Sequence, residues 1–271
     1  MSLLHALLLG IVQGITEFLP VSSSGHLALI PWLFGWDDFA GDPALENAFD
    51  VSLHLGTLVG AAAYLRDDIR RYGTALLASV AGRSHDATDA RIGGILLVTV
   101  LPVGLIGLLV LSSTTDLGDR TWLVAVSLIG FGLLLGAADR RPGDRDPGSL
   151  RVRDALLLGA AQGLAFQPGV SRSGAALTAA RLLGIERVAA ARLVFLMSLP
   201  VIAGAGLVSA FDVRVPSEWW SAFAVGTLAA AVSGWFAVHG MLRLLARRGV
   251  GGIVAYRVLV GLAVLVVLVV R

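Results

Sequence analysis

Two short stretches carry most of the reactive chemistry in this chain. Residues 16–26 read TEFLPVSSSGH and residues 168–174 read PGVSRSG. The first brings a carboxylate, Glu17, together with three serines, Ser22, Ser23 and Ser24, and an imidazole, His26. The second sets a guanidinium, Arg172, between Ser171 and Ser173, with Gly169 and Gly174 on either side. A serine-glycine turn that ends one helix and begins another leaves backbone N–H groups, hydroxyls and a forked cation facing one space, the donor set that holds phosphate oxygens. An acid and an imidazole beside such a cradle add proton transfer, since histidine titrates near neutral pH. Alone, a Ser-Arg-Ser-Gly run is a weak signal, because serines in interrupted membrane helices often serve only to satisfy freed backbone groups.

The elements that must position these residues are read from composition first. Hydrophobic residues make up 56% of 271 positions, charged residues 15%, and the mean hydropathy is +0.81, which is the profile of an integral membrane protein. Cysteine is absent, so disulfides and thiolate chemistry are excluded. All 21 basic residues are arginine, and they lie mostly in short loops, where they report topology rather than nucleic-acid binding. The amino terminus lacks the basic flank and cleavage site of a signal peptide, so residue 1 is read as part of the mature chain.

Apolar segments long enough to cross a bilayer run over about 92–111, 121–138, 190–211, 219–242 and 253–270, with a shorter one at 49–65. Two others, 3–34 and 154–185, are broken by Pro and Ser-Gly clusters, so each reads as a helix, a break and a second short helix. Arg66, Arg70, Arg71, Arg83 and Arg91 crowd one loop, Arg140, Arg141, Arg145, Arg151 and Arg153 a second, and Arg243, Arg247 and Arg248 a third; these are expected on the cytoplasmic side. The acidic loops at 36–48, 112–120 and 212–218 are expected outside. The alternation closes only if both broken segments are re-entrant hairpins, the first entering from outside and the second from inside.

An internal repeat supports that count. Residues 9–25 and 158–174 align without a gap at an offset of 149, with eight of seventeen positions identical, among them Gln13/Gln162, Ser22/Ser171, Ser24/Ser173 and Gly25/Gly174. The expected fold is therefore all-α: a polytopic membrane protein with six transmembrane helices, two re-entrant hairpins and an inverted-topology repeat. Residues 1–138 form the first half, 139–153 a cytoplasmic linker and 154–271 the second half, with the site where the broken helices meet. The copies differ in their charges: Glu17 and His26 face Phe166 and Ala175 in the alignment, while Arg172 faces Ser23. An ionisable group at such depth is a functional hypothesis by default. The competing account, a purely structural Glu17–Arg172 pair, is disfavoured because buried pairs seldom justify their desolvation through stability alone.

The two motifs together resemble the bacterial undecaprenyl-diphosphate phosphatase family, the BacA-type membrane enzymes linked to bacitracin resistance. The resemblance rests on Gln13 four residues before Glu17, on LPVSSSGH at 19–26 and on PGVSRSG at 168–174. It implies removal of the terminal phosphate of undecaprenyl diphosphate at the outer face of the bacterial cytoplasmic membrane, recycling the lipid carrier for peptidoglycan synthesis, with a polyprenyl diphosphate and membrane lipids as partners. It also implies a divalent cation, Mg²⁺ or Ca²⁺, held by Glu17 and Gln13. Arg172, with Ser22, Ser24, Gly169, Ser171, Ser173, Gly174 and Thr178, would bind the diphosphate. His26 would act as general acid or base, and Ser23 is the candidate nucleophile, with attack by water or by His26 as alternatives. The chain departs from the family pattern at Ala176, where Thr is usual; losing a phosphate contact there would remove one neutral hydrogen bond, about 1 kcal/mol. A transporter or flippase of a polyprenyl phosphate or small anion is the alternative on the same architecture.

Other polar residues read as less informative. His54, alone on an apolar span, could approach the site but is expected to be a packing residue. His5, His85 and His239 have no evident partner. Arg181, Arg192 and Arg257 are expected to snorkel or lie at the interface. Trp32, Trp36, Trp122, Trp219 and Trp220 form an outer aromatic belt, and Gly130, Gly132 and Gly136 offer an exposed face that would permit a homodimer.

Overall fold

A computed structural model describes residues 1–39, 41–111, 120–209 and 215–270. Among them the helices are α1 (Leu3–Phe18), α2 (Ser23–Phe34), α3 (Pro43–Tyr64), α4 (Arg66–Val80), α5 (Ala87–Val98), α6 (Val100–Leu111), α7 (Thr121–Asp139), α8 (Val152–Gly163), α9 (Arg172–Leu182), α10 (Arg187–Ser209), α11 (Trp220–Arg247) and α12 (Gly251–Val270). No strand occurs among the described residues, only an isolated bridge between Arg145 and Ile185. The all-α multi-pass reading holds. Five stretches are long and apolar enough to cross a membrane, Ala87–Val110, Thr121–Asp139, Arg187–Val208, Ser217–Arg247 and Gly251–Val270, and a sixth counts only if α3 and α4 are taken as one broken span. Residues 112–119 and 210–214, with most of two expected outer loops and the end of the 190–211 span, lie outside the described residues.

The expected span at 49–65 is longer than its apolar run. Helix α3 begins at Pro43, where the Asp42 carboxylate accepts from the N–H groups of Ala44 and Leu45 at 3.0 and 3.1 Å. It ends where the sequence turns to RDDIRR, and the chain bends by 80° into α4. What reads as an arginine-rich loop is therefore largely helix, its Arg192 partner on α10 reaching Asp68 at 2.7 Å and its own Arg71 reaching Asp89 on α5 at 2.7 Å.

The two interrupted segments break where Pro and Ser-Gly predict. Chain leaves α1 at Leu19 and re-enters helix at Ser23; it leaves α8 through a 3₁₀ turn, Leu164–Phe166, and re-enters at Arg172. Ser22 and Ser171 take matching positive φ angles of 75° and 74°, the only non-glycine residues among those described to do so. Each caps the following helix, its Oγ accepting from Gly25 N at 3.3 Å or Gly174 N at 3.1 Å. Such backbone costs about 1–3 kcal/mol per residue and persists where the surroundings over-determine it.

Each interrupted segment also has its two ends tied together. His5, near the start of α1, pairs with Asp38 beyond α2 at 2.8 Å and stacks on Trp36 at 3.8 Å. Around the second interrupted segment Arg145 bonds Asp154 at the start of α8, while its backbone N–H donates to Gly184 O beyond α9 at 3.0 Å. Thus His5 does have a partner, as do His85, on Arg83 O at 2.7 Å, and His239, 3.2 Å from the Tyr64 hydroxyl.

Small residues set how closely α1, α3 and α11 approach. A Cβ added at Gly14 would lie 2.0 Å from Ser233 Oγ and 2.6 Å from Ala230 O; one added at Gly60 would lie 2.1 Å from Ala231 O. This is small-residue helix packing, and it fixes the turn of α1 that carries Gln13 and Glu17. Gly60→Val is expected to force α3 off α11 at a cost of about 3 kcal/mol, seen as a lower thermal-unfolding midpoint in detergent, whereas Gly73→Ala, inside α4 with nothing within 4 Å of its added Cβ, is expected to keep or slightly raise the midpoint. The glycines expected on an exposed pairing face behave differently. Gly132 and Gly136 admit Arg257 and Val254 of α12, at 3.1 and 3.2 Å from an added Cβ, and only Gly130 is exposed.

Arg181 corrects another expectation. It is 3% exposed, donates to the carbonyls of Ile185 and Arg141, and lies 3.4 Å from the Asp139 carboxylate, which accepts from Arg187 at 2.7 Å. A long cation at a helix end is as well suited to capping carbonyls as to snorkelling, and its sequence position does not tell the two apart.

Candidate functional site

The two serine turns meet and are stitched to each other. Ser22 Oγ accepts from Gly169 N at 3.0 Å, and Ser173 Oγ donates to Leu19 O at 3.2 Å. Arg172 Nη2 donates to Glu17 Oε1 at 2.8 Å, joining residues 155 positions apart. Breaking a helix leaves carbonyls without N–H partners, and no water is at hand within a bilayer to serve them. Arg257 answers this need. Fully buried on α12, it donates to Pro20 O at 2.8 Å in the first turn and to Gly169 O at 2.9 Å and Val170 O at 3.0 Å in the second, with Leu128 O at 3.1 Å. It is a staple between the turns, not the snorkelling residue its place in an apolar helix suggests.

Glu17 is the centre of the constellation. Its side chain is 3% exposed, and its Oε2 accepts from Ser23 Oγ at 2.6 Å and from Gln13 Nε2 at 3.0 Å. His54 Nε2 stands 3.4 Å from the same oxygen, while its Nδ1 donates to Asp50 O at 2.8 Å. Both ring nitrogens of His54 therefore face oxygen acceptors, the arrangement of a proton donor. A hydroxyl, a carboxylate, an imidazole and a guanidinium are thus gathered from α1, α2, α3 and α9.

A cavity of about 250 Å³ opens beside them, lined by Ser22, Ser23, Ser24, His54, Gln162, Ser171 and Arg172 and walled by Val51, Val103, Phe166, Val201 and Ile202. A larger groove of about 770 Å³ runs between α1 and α11, but its lining, such as Leu7, Ile11, Leu228 and Phe236, has no ionisable group. The smaller cavity is the one with chemistry.

The sequence-based site residues divide on this geometry. Glu17, Gln13, Ser22, Ser23, Arg172, Ser171 and Ser173 share one bonded cluster or cavity wall; Ser24 lines the cavity, and Gly169 and Gly174 shape the second turn. His26 stands apart: Nδ1 donates to Ser22 O at 2.7 Å and Nε2 accepts from the Tyr256 hydroxyl at 2.7 Å, so it braces the first turn from behind. Thr178 is buried and donates to Gly174 O at 2.8 Å within its own helix. Ala176 is fully buried in the main apolar core. His54 and Gln162 on the wall, and Arg257 behind it, are additions. His54 gave no periodic signal; Gln162 was marked only by its repeat partner Gln13.

The donors beside Glu17 are hard oxygens. Gln13 Oε1 is buried and has no hydrogen-bond partner, which costs about 1–3 kcal/mol if nothing binds it. With the Glu17 carboxylate it fits a hard divalent cation, whose remaining ligands would come from phosphate and water, since no group of three His, Cys, Asp or Glu is so placed among the described residues.

The chain is similar to known proteins over nearly its whole length. The family model described as Bacitracin resistance protein BacA matches residues 6–263. A protein of Nocardioides sp. named Undecaprenyl-diphosphatase is 41% identical over 269 residues, covering 97% of this chain and 95% of that one. Undecaprenyl-diphosphatase 2 of Stutzerimonas stutzeri is 42% identical over 273 residues, 98% of each chain. The Undecaprenyl-diphosphatase of Pelobacter propionicus is 40% identical over 273 residues, 99% of this chain and 98% of that one.

Proposed function

This chain belongs to the bacitracin resistance protein BacA family, and on that premise we propose that it is an integral membrane phosphatase that hydrolyses undecaprenyl diphosphate to undecaprenyl phosphate and inorganic phosphate. The observation that carries the reading is the Ser23–Glu17–Arg172 chain of hydrogen bonds, 2.6 and 2.8 Å long, at the edge of a polar cavity. A nucleophile within hydrogen-bond reach of its base, with a forked cation beside both, is what phosphoryl transfer requires of a protein.

The entering diphosphate draws Arg172 from Glu17 onto its terminal phosphate, where the Ser171 and Ser173 turn adds neutral donors. Glu17, held by Gln13, is then left to take the Ser23 proton. Ser23 Oγ attacks the terminal phosphorus; the bond from that phosphorus to the bridging oxygen breaks, and its electron pair leaves with the lipid monophosphate. Water then cleaves the phosphoserine, returning Oγ–H and releasing inorganic phosphate. His54 stands where it can give a proton to a departing oxygen, and His26 positions the Ser22 carbonyl and hence the turn that carries Ser23. A Mg²⁺ or Ca²⁺ ion on Glu17 and Gln13 Oε1 would, when bound, neutralise phosphate charge.

The finer topology belongs to the same proposal. Six spans, two re-entrant hairpins and an inverted repeat are supported by the 149-residue offset, by the matched Ser22 and Ser171 conformations, and by the His5–Asp38 and Arg145–Gly184 ties that bring both ends of each interrupted segment together. The arginine-rich segments are expected on the cytoplasmic side, and the family resemblance implies the bacterial cytoplasmic membrane with the site open to its outer face. Purified protein in detergent, given a polyprenyl diphosphate and Mg²⁺, is expected to release inorganic phosphate, to lose that activity with a chelator and to recover it when Mg²⁺ or Ca²⁺ is restored. Movement of the lipid across vesicles without phosphate release would reject the phosphatase and favour a transporter.

A further inference from the structure

We infer that Gln162 is a substrate-binding residue whose side-chain amide donates hydrogen bonds to the diphosphate, an inference that rests on the phosphatase reading. Gln162 sits in the last turn of α8, 1% exposed, on the wall of the cavity that holds Arg172, Ser171, Ser23 and His54. Neither its Nε2 nor its Oε1 has a hydrogen-bond partner. A native interior rarely keeps a whole amide unpaired, and an apolar residue of the same size would fill the position without that cost.

The repeat explains why the amide is free. Its counterpart Gln13 spends Nε2 on Glu17, at 3.0 Å and four residues on. In the second half the residue four positions after Gln162 is Phe166, so the carboxylate that would take the amide is missing. The same side chain that orients a base in one half is released toward the cavity in the other. Arg172 makes that cavity attractive to an anion, and the oxygens of an ionised phosphate only accept hydrogen bonds. The complementary face of Gln162 is therefore its NH₂ group.

The test compares phosphate release by the full-length wild type, Gln162→Met and Gln162→Glu in detergent with Mg²⁺. Binding of inorganic pyrophosphate to each protein and its thermal-unfolding midpoint are measured alongside. Gln162→Met is expected to raise KM and the pyrophosphate Kd about tenfold, the worth of one hydrogen bond to a charged group, with a midpoint equal to or above wild type because no native bond is lost. Gln162→Glu, which turns a donor into a like charge, is expected to be worse than Met. A Met variant with wild-type KM and Kd, or one with a lowered midpoint, would overturn the inference. So would a Glu variant more active than Met, since the working atom would then be an oxygen that meets a cation. Wild-type protein that binds pyrophosphate through Gln162 but releases no phosphate would leave the amide's role standing and sink the phosphatase.

Discussion

Arg172→Ala is expected to lower the rate of phosphate release from a polyprenyl diphosphate by about 10³-fold or more, the scale on which a forked cation at a phosphoryl group acts. The guanidinium is the only one on the cavity wall among the described residues, and it enters from the first residue of α9, where the chain has no freedom to put it elsewhere: Ser171 before it caps the helix, and Ser173 after it is bound to Leu19 O at 3.2 Å. Loss of Arg172 also removes the guanidinium partner of the buried Glu17 carboxylate, which by itself costs about 3 kcal/mol. The two effects separate in the double variant Glu17→Gln with Arg172→Ala, which is expected to regain thermal stability and to stay inactive. Arg172→Lys keeps the charge but loses the two-pronged geometry, and should fall between wild type and Ala. Full activity in Arg172→Ala, measured as phosphate release, would remove this site from the reaction.

The second large effect is expected away from the cavity. Arg257→Met removes the donor for Pro20, Gly169 and Val170 carbonyls at once, at a fully buried position. A cost of about 3–5 kcal/mol is expected, on the scale of breaking a buried charged network, together with a loss of activity that appears mainly in kcat, because both turns lose register while the wall of the cavity stays. Arg257→Lys should rescue little, since a point charge cannot span carbonyls from two turns. Unchanged melting and turnover in Arg257→Met would show that the turns hold without their staple.

Much of this arrangement is legible in the amino-acid sequence. The repeat at offset 149 marks both interruptions, Pro20 and the Ser-Gly runs locate the breaks within a few residues, and the unequal charges of the two copies bring Glu17 and Arg172 to one place. What could not be read is which way a residue faces once its helix is placed. His54 and Arg257 lie in apolar helices with no periodic polar stripe, so a wall residue and a packing residue look alike in the sequence, as do a staple and an interfacial arginine. His26 shows the converse. Its three-residue spacing from Ser23 suggests a shared task, yet the αR turn that follows Ser22 carries the ring round to Tyr256. The 80° bend after Tyr64 was hidden because α4 has the charges of a loop and the hydrogen bonding of a helix.

The reciprocal bonds between Ser22 and Gly169 and between Ser173 and Leu19 bear on how such a sequence can change over time. Each half borrows from the other the atoms that close its own gap, so the segments around 19–23 and 169–173 cannot drift separately. The charges at 17, 26 and 172 can differ between the two segments, but only inside a frame whose closure each segment supplies to the other.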